Sequence, residues 1–388
     1  MRYLARDLDA ELVVARTRGS HLFDTRGRKY IDFVMGWCVG NFGWRNAALA
    51  RAVKQFHGPD YVYPGFAYKR WEELARLLAA IAPGRVTKSF RATGGSEAVD
   101  VALQAAMIHT GRGKFLSLEG SYHGNTIAGL SIGASENRDK LANRLPNCDT
   151  IAPPLDAHAL DKVETRLKRR DVAAFIMEPV SINLGVLIPE VEFMTGLQRL
   201  CRRYGTLLVM DEVASGFGRT GRLFATEHFD IEPDMVCVGK AMTGGVSGMG
   251  AVISTRDVAE SMEEDGTFYS TYGWHPRSTE AAIATMRFVV RHKKALLAHV
   301  AEMSEYFSDR LSRMRFTRVT HVATIHVKGL AIGIDFENED EADAVQAKCR
   351  RNGLLTSTEG STLLLLPALT IPRRVAKTGL DILEKCVG

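Results

Sequence analysis

Five short apolar runs recur through the middle of this chain, with a turn and a helical pattern between most of them. Residues 115–118, 173–177, 207–210, 235–238 and 251–254 each have the length and composition of a buried strand. Between them, 96–109, 157–169 and 192–204 place apolar residues three and four positions apart, the spacing of one helix face. Strands that lack polar alternation need cover on both faces, and interleaved helices supply it. The pattern therefore predicts an α/β fold with a large, mostly parallel sheet sandwiched by helices.

Past residue 281 the texture changes. A long helical stretch at 280–314 is followed by alternating runs around 324–336, a charged helix at 340–351 and an apolar run at 363–366. These read as an α+β lobe rather than more doubly wound sheet. Near the start, 23–33 reads as a hairpin with a polar turn containing Gly27. The expected organisation is a large domain over 48–285 and a small one built from 1–47 and 286–388.

Composition narrows the partners. In 388 residues, 50 Lys+Arg against 45 Asp+Glu leave a net charge of +5 with no block of like charge, too weak for nucleic acid or anionic lipid as the main partner. An anionic ligand needs a local site. The opening carries Arg2, Arg6, Asp7, Asp9 and Glu11 where a secretory signal is apolar. No apolar run reaches the roughly 18 to 20 residues of a membrane span. The six cysteines are scattered and the histidines form no ligand set, so the expectation is a cytoplasmic protein with reduced thiols and no metal.

In an open parallel sheet, ligands bind beyond the carboxyl ends of the strands. Four such places carry chemistry: Asp211 after 207–210, Lys240 after 235–238, Glu119 to Gly124 after 115–118, and Thr93 to Ser96 ahead of a helix. Small residues at a helix start can hold a phosphate on backbone N–H groups. The plainer alternative is a turn that merely starts the helix, with Ser96 as its cap. A lysine desolvated at a strand end has a lowered pKa and forms Schiff bases with aldehydes, though one that only reaches out to water would leave the same trace. A phosphate, an aldehyde and a ring nitrogen paired with an acid together describe pyridoxal phosphate.

These residues lie in a pattern that resembles the class III (ω-type) aminotransferases, pyridoxal-phosphate enzymes of fold type I, whose sheet is of a seven-stranded type. Tyr30, Asp32 and Phe33 with Gly36, Asn41 and Gly43 resemble the N-terminal signature. Gly95, Ser96, Glu97 and Ala98 resemble the phosphate turn, and Tyr122, His123 and Gly124 the ring-stacking motif. Glu178 and Pro179, then Asp211, Glu212 and Val213, then Gly216 to Gly221, Lys240, Thr271 and His275 with Pro276 follow in the family's order.

The resemblance implies that Lys240 binds the cofactor covalently and then carries protons, while Asp211 pairs with the ring N–H. It implies that Tyr122 and Val213 sandwich the ring and that Gly95 and Ser96 bind the phosphate. Thr271 would reach the phosphate site of a neighbouring subunit in a homodimer. Glu178 and Arg219 would support the loops of the site.

Departures from the family are equally informative. Ala214 stands where many members have a glutamine on the cofactor's phenolic oxygen, and Asn183 where ornithine-type members have a glutamate. Leu364 occupies the position of their carboxylate-binding arginine. Trp37 and Cys38 resemble the bulky pocket wall of amine-type members. With Glu178 and Asn183 they are the candidate substrate residues. The expectation is an aminotransferase that uses glutamate or alanine as donor and acts on a terminal amine or amino-sugar-like substrate rather than an ordinary α-amino acid. Arg45 and Arg277 remain candidates for a donor carboxylate. The alternatives are a racemase, epimerase or semialdehyde-type aminomutase with the same cofactor, and a non-catalytic binding protein.

Overall fold

The computed structural model describes residues 12–133, 138, 140–265, 268–317, 319 and 322–388. The charged residues Arg2 to Glu11 read above lie outside the described residues. The chain opens with an antiparallel meander of β1 (Val14–Arg18), β2 (His21–Asp24) and β3 (Lys29–Asp32). The anticipated turn between β2 and β3 is held by Asp24, whose Oδ1 accepts from the N–H of Arg26 at 2.9 Å and of Arg28 at 2.8 Å. Gly27 takes the left-handed conformation there, with φ 82°. The short α1 (Met35–Cys38) is kinked at Gly36 and Trp37. Then α2 (Ala47–Lys54) and α3 (Lys69–Ala79) lead into the central sheet.

That sheet has seven strands: β4 (Lys88–Ala92), β5 (Lys114–Leu118), β6 (Cys148–Ile151), β7 (Val172–Met177), β8 (Leu207–Asp211), β9 (Met235–Val238) and β10 (Gly250–Ser254). Their order is β4-β10-β9-β8-β7-β5-β6, and β10 alone runs antiparallel to its neighbours. Every residue of β7, β8, β9 and β10 is buried, which is why these runs show no polar alternation. Successive side chains go to opposite cores. Ile176, Val209 and Cys237 pack in one, while Phe175, Met177, Leu208 and Met210 pack in the other.

The covering helices are α4 (Gly95–Thr110), α5 (Ile127–Ile132), α6 (Ala157–Leu167), α7 (Val191–Tyr204) and α8 (Arg256–Asp265). α4 buries Ala98, Ala102, Ala105 and Ala106, small side chains that bring its backbone close to the sheet.

The long α9 (Pro276–Ser312) starts with proline in its first turn, where the missing N–H costs nothing. Beyond it come β11 (Val322–Lys328), β12 (Ala331–Phe336), α10 (Glu339–Arg351), β13 (Leu354–Leu355), β14 (Ser357–Glu359), β15 (Thr362–Leu365) and α11 (Arg373–Val387). Four of these strands form an antiparallel sheet in the order β11-β12-β15-β14. The fifth, β13, lies parallel to β3 and completes the N-terminal sheet, so both chain ends share one layer.

Candidate active site

Glu178, Asp211 and Lys240 follow or end three adjacent parallel strands, β7, β8 and β9, and so emerge along one edge of the sheet. The loop after β5 and the start of α4 meet them there. Together they line a cavity of about 400 Å³ whose walls include Gly95, Ser96, Tyr122, Asp211, Val213 and Lys240. That volume suits a small-molecule cofactor with room for a substrate.

Lys240 takes φ 40°, a left-handed conformation uncommon for a residue with a side chain, directly after the extended Gly239. The turn aligns Lys240 with the cavity wall, where it is half-buried. Asp211 is buried and accepts two hydrogen bonds, from Val213 N at 3.1 Å and, on Oδ2, from His123 Nδ1 at 2.7 Å. Because the carboxylate can only accept when ionised, the hydrogen belongs on Nδ1. Among the described residues, the buried Nε2 of His123 has no partner.

The adjacent acid Glu212 points elsewhere and is a structural anchor. It accepts from Ser215 Oγ at 2.7 Å, Ala225 N at 3.0 Å and both Thr226 N and Oγ1 at 2.7 Å. Glu178 is buried, and its Oε2 accepts from Ile182 N at 3.2 Å. Burial, reinforced by the neighbouring Asp211 and opposed by Lys240, pushes its carboxyl up to about 8. The Tyr122 phenol is also raised, first by burial and then by Asp211.

The start of α4 differs from the plainer reading in one respect. Its N-cap is Gly94 and no side chain caps it, so Ser96 does not serve as the cap. Glu97 instead reaches back to Thr93, accepting from its N–H at 2.6 Å and from its hydroxyl. The first N–H groups of the helix are therefore left for a ligand. The cradle is tight. A Cβ on Gly95 would come within 2.8 Å of Val213 Cγ1, and one on Gly124 within 2.4 Å of Ser96 Oγ. An uncapped helix start beside a lysine and a buried carboxylate suits a compact phosphate ester that carries an aldehyde and a ring nitrogen.

The remaining candidates divide. Trp37, Glu178, Asn183 and Ala214 line the cavity. Cys38 does not: it is buried beside the Arg219 guanidinium. Thr271 is exposed and lies outside the cavity of its own chain. Arg219 is fully buried and donates to the carbonyls of Leu330 and Pro367 at 2.8 and 2.7 Å and to Asn41 Oδ1 at 2.6 Å, tying the loop after β8 to the strands of the C-terminal sheet.

Among the described residues, no arginine lines the cavity. Leu364 is buried in β15 opposite Gly333 and Ser357, Arg45 is exposed, and Arg277 packs 5.8 Å from the Phe56 ring centroid. Two polar wall residues, His123 and Glu359, do not stand out in the sequence as site groups in their own right, nor do the apolar Val99 and Ile182. His123 sits inside a quoted motif, and Glu359 ends β14 on a hairpin that reads as ordinary surface. No group of side chains among the described residues could hold a metal ion.

The family described as aminotransferase class-III matches residues 3–387 of this chain. An acetylornithine aminotransferase of Archaeoglobus fulgidus is 34% identical over 375 residues, covering 96% of this chain and 95% of that protein. An adenosylmethionine-8-amino-7-oxononanoate aminotransferase of Staphylococcus aureus is 26% identical over 416 residues, covering 97% of this chain and 92% of that protein. Among solved structures, a PLP-bound amine transaminase from an uncultivated Pseudomonas species is similar with a TM-score of 0.89 at 27% identity, covering 100% of this chain and 97% of that one. The ornithine aminotransferase of Toxoplasma gondii shares the fold with a TM-score of 0.91 at 24% identity, covering 100% of this chain and 92% of that one.

Proposed function

The chain belongs to the class III aminotransferases, with pyridoxal phosphate as cofactor, and from that premise we propose that its substrate reacts through a terminal amine rather than as an ordinary α-amino acid. The observation that carries this reading is the cavity wall, where Asn183 stands in place of a charged group and no arginine is present among the described residues that line it, while Leu364, at the position of the family's carboxylate-binding arginine, is buried in β15. A bidentate arginine–carboxylate contact gives a specificity that leucine cannot supply. The amino donor in the other half of the cycle is glutamate or alanine, and the acceptor a ketone or aldehyde.

When bound, the cofactor supplies an aldehyde that condenses with amines and a ring that withdraws electrons from the carbon beside the nitrogen. Lys240 Nζ would anchor the cofactor and, once displaced by the substrate amine, would serve as the base that takes the proton from the substrate's amine-bearing carbon and as the acid that returns it to the carbon on the other side of the nitrogen. Asp211 holds a proton on the ring nitrogen, and His123 fixes the carboxylate for that task. Gly95 and Ser96 hold the phosphate with the uncapped N–H groups of α4. Tyr122 and Val213 bound the ring, and Trp37 and Glu178 bound the substrate space.

The working form is a homodimer in which Thr271 completes the phosphate site of the partner subunit. Supporting it are the exposed rings of Phe66, Tyr269 and Tyr272, 68%, 67% and 63% accessible in the single chain. Within each subunit, 48–285 forms the large domain and the two chain ends the small one. All six cysteines are free thiols, in keeping with a cytoplasmic location. No helix among the described residues is long and apolar enough to cross a membrane.

A second reading follows from the similarity to acetylornithine aminotransferases. Acetylornithine offers a terminal amine but also a carboxylate. A donor and acceptor screen on the holoenzyme, followed by the visible absorbance of the cofactor, decides between the two. Faster turnover of simple terminal amines supports the first reading, and rapid, tight use of acetylornithine or ornithine overturns it. Release of a keto product separates transfer from isomerisation, and Lys240→Ala abolishes turnover in either case.

A further inference from the structure

Away from the cofactor cavity, the layer where the two chain ends meet holds a second cavity, also of about 400 Å³. It is bordered by β2, β3, α11 and the residues just before β13. His21, Lys29 and Arg374 line it, and none of the described residues in its wall is an acid. We infer that this cavity is a second, non-catalytic ligand site that takes a phosphate dianion, either free or carried on a small organic molecule.

The fold brings the three basic groups together. On β3, Lys29 and Ile31 are two positions apart and share a face, and His21 of β2 stands opposite Ile31 in the antiparallel register. On α11, Arg374, Thr378 and Ile382 follow one another at four-residue spacing along one stripe. The N–H of Ile31 donates to Gly353 O at 2.8 Å, which brings Asn352 and Gly353 to the same wall.

These charges lack a counter-ion. Lys29 and Arg374 make no ion pair and no side-chain hydrogen bond among the described residues, whereas the adjacent Arg373 pairs with Glu302 at 3.3 Å. Their proximity is felt at His21: burial, then the charges of Lys29 and Arg374, lower the pKa of its imidazole, and Asp32 opposes them. Asp32 is already committed. It is buried, and its carboxylate accepts from Val34 N at 2.9 Å and from Met35 N and Trp44 Nε1 at 2.8 Å. Arg374 also stands in the first turn of α11, where the helix dipole disfavours a cation. An anion in the cavity relieves this repulsion.

Shape selects among anions. Donors reach the cavity from β2, β3 and α11, and a tetrahedral phosphate presents oxygens in several directions where a carboxylate presents two in one plane. Ile31, Val375 and Ile382 form an apolar side against which the carbon skeleton of an ester can rest. The two cavities share no residue, so the cofactor's own phosphate does not fill this one.

Isothermal calorimetry on the cofactor-loaded protein, at about pH 8 where phosphate is a dianion, tests this with inorganic phosphate, glycerol 3-phosphate, succinate and glycerol. Phosphate or its ester should bind saturably, once per chain and at least about tenfold tighter than succinate, and glycerol should not bind. Tighter binding of the ester assigns the site to organic phosphates, and equal or weaker binding assigns it to free phosphate. Lys29→Ala and Arg374→Ala should each weaken the affinity about tenfold, Lys29→Arg should retain it, and Arg374→Glu should abolish it.

Both positions are exposed, and an unchanged circular dichroism spectrum and cofactor absorbance show that each variant folds. Because the readout is binding rather than turnover, the outcome is independent of which amine the enzyme uses. Succinate binding as tightly as phosphate, an affinity that survives Lys29→Ala combined with Arg374→Ala, or the absence of saturable binding overturns the inference.

Discussion

His123 and Asp211 are linked by a buried 2.7 Å hydrogen bond, so the state of each governs the other. Removing the ring would leave a buried carboxylate short of a donor, a loss of about 1 to 3 kcal/mol. His123→Leu should therefore lower kcat about 10- to 100-fold with little change in KM. His123→Asn, which can still donate, should recover part of the loss. Steady-state kinetics of the two variants check this, and equal loss in both would argue against a positioning role.

Glu178 gives a pH signature. Its folded carboxyl titrates near 8 against an unfolded value of 4.5, so the folded state binds more protons throughout that window. Its contribution to stability is complete below about pH 4.5 and is lost as the pH rises through 8. Denaturation of the cofactor-free protein at pH 5, 7 and 8.5 should show stability falling, and Glu178→Gln should flatten the trend. Lys240 and Asp211 were legible in the sequence because each closes or follows an apolar strand, where a charge needs a reason. His123 was not, because its partner lies 88 positions away. Glu359 was not, because an exposed acid at the end of a short hairpin strand carries no local signal that it borders a cavity.

At the level of elements, the start of α4 is the most exacting part of the site. Gly95 lies against Val213 with no space for a methyl group, and Gly239 in turn packs on Gly95, with a Cβ there only 3.2 Å from Gly95 N. Gly95→Ala should displace Val213 and the first N–H groups together and weaken cofactor binding about tenfold or more, on the order of the 1 to 3 kcal/mol typical of overpacking. Titration of the apo variant with pyridoxal phosphate, followed by absorbance, measures it, while an unchanged circular dichroism spectrum shows that the fold is retained.

The apolar central strands and long helices were readable from periodicity alone, to within a few residues at their ends. β4 and β6 gave no such signal. They are the sheet's edge strands, and Lys88 and Arg91 in one and Asp149 and Thr150 in the other interrupt any apolar run. α2 and α3 are too short for their periodicity to stand out, and both pack against α9.

For the molecule as a whole, the proposed homodimer would cover a group of exposed aromatic rings. Tyr61 contacts Tyr272, with ring centroids 5.9 Å apart, and Tyr63 contacts Phe66 at 5.4 Å, yet all four stay exposed in the single chain. Sedimentation should therefore give twice the 42.8 kDa chain mass. Phe66→Asp combined with Tyr272→Asp should shift the protein toward monomer and reduce activity in parallel, since Thr271 would then complete no site. A fully active monomer would refute the shared site.

The layer shared by the two chain ends also bears on the order of assembly. The N–H groups of Ile31 and Phe33 donate to the carbonyls of Gly353 and Leu355, and Phe33 O accepts from Leu366 N. In chain order these partners follow the whole central sheet. The outer edge of β3 is thus satisfied only after the strands of that sheet have been made, and the intervening sheet can form while it waits. The cavity wall that carries Trp37 also includes Glu359, so a nascent chain has no complete substrate cavity before β14 has been made.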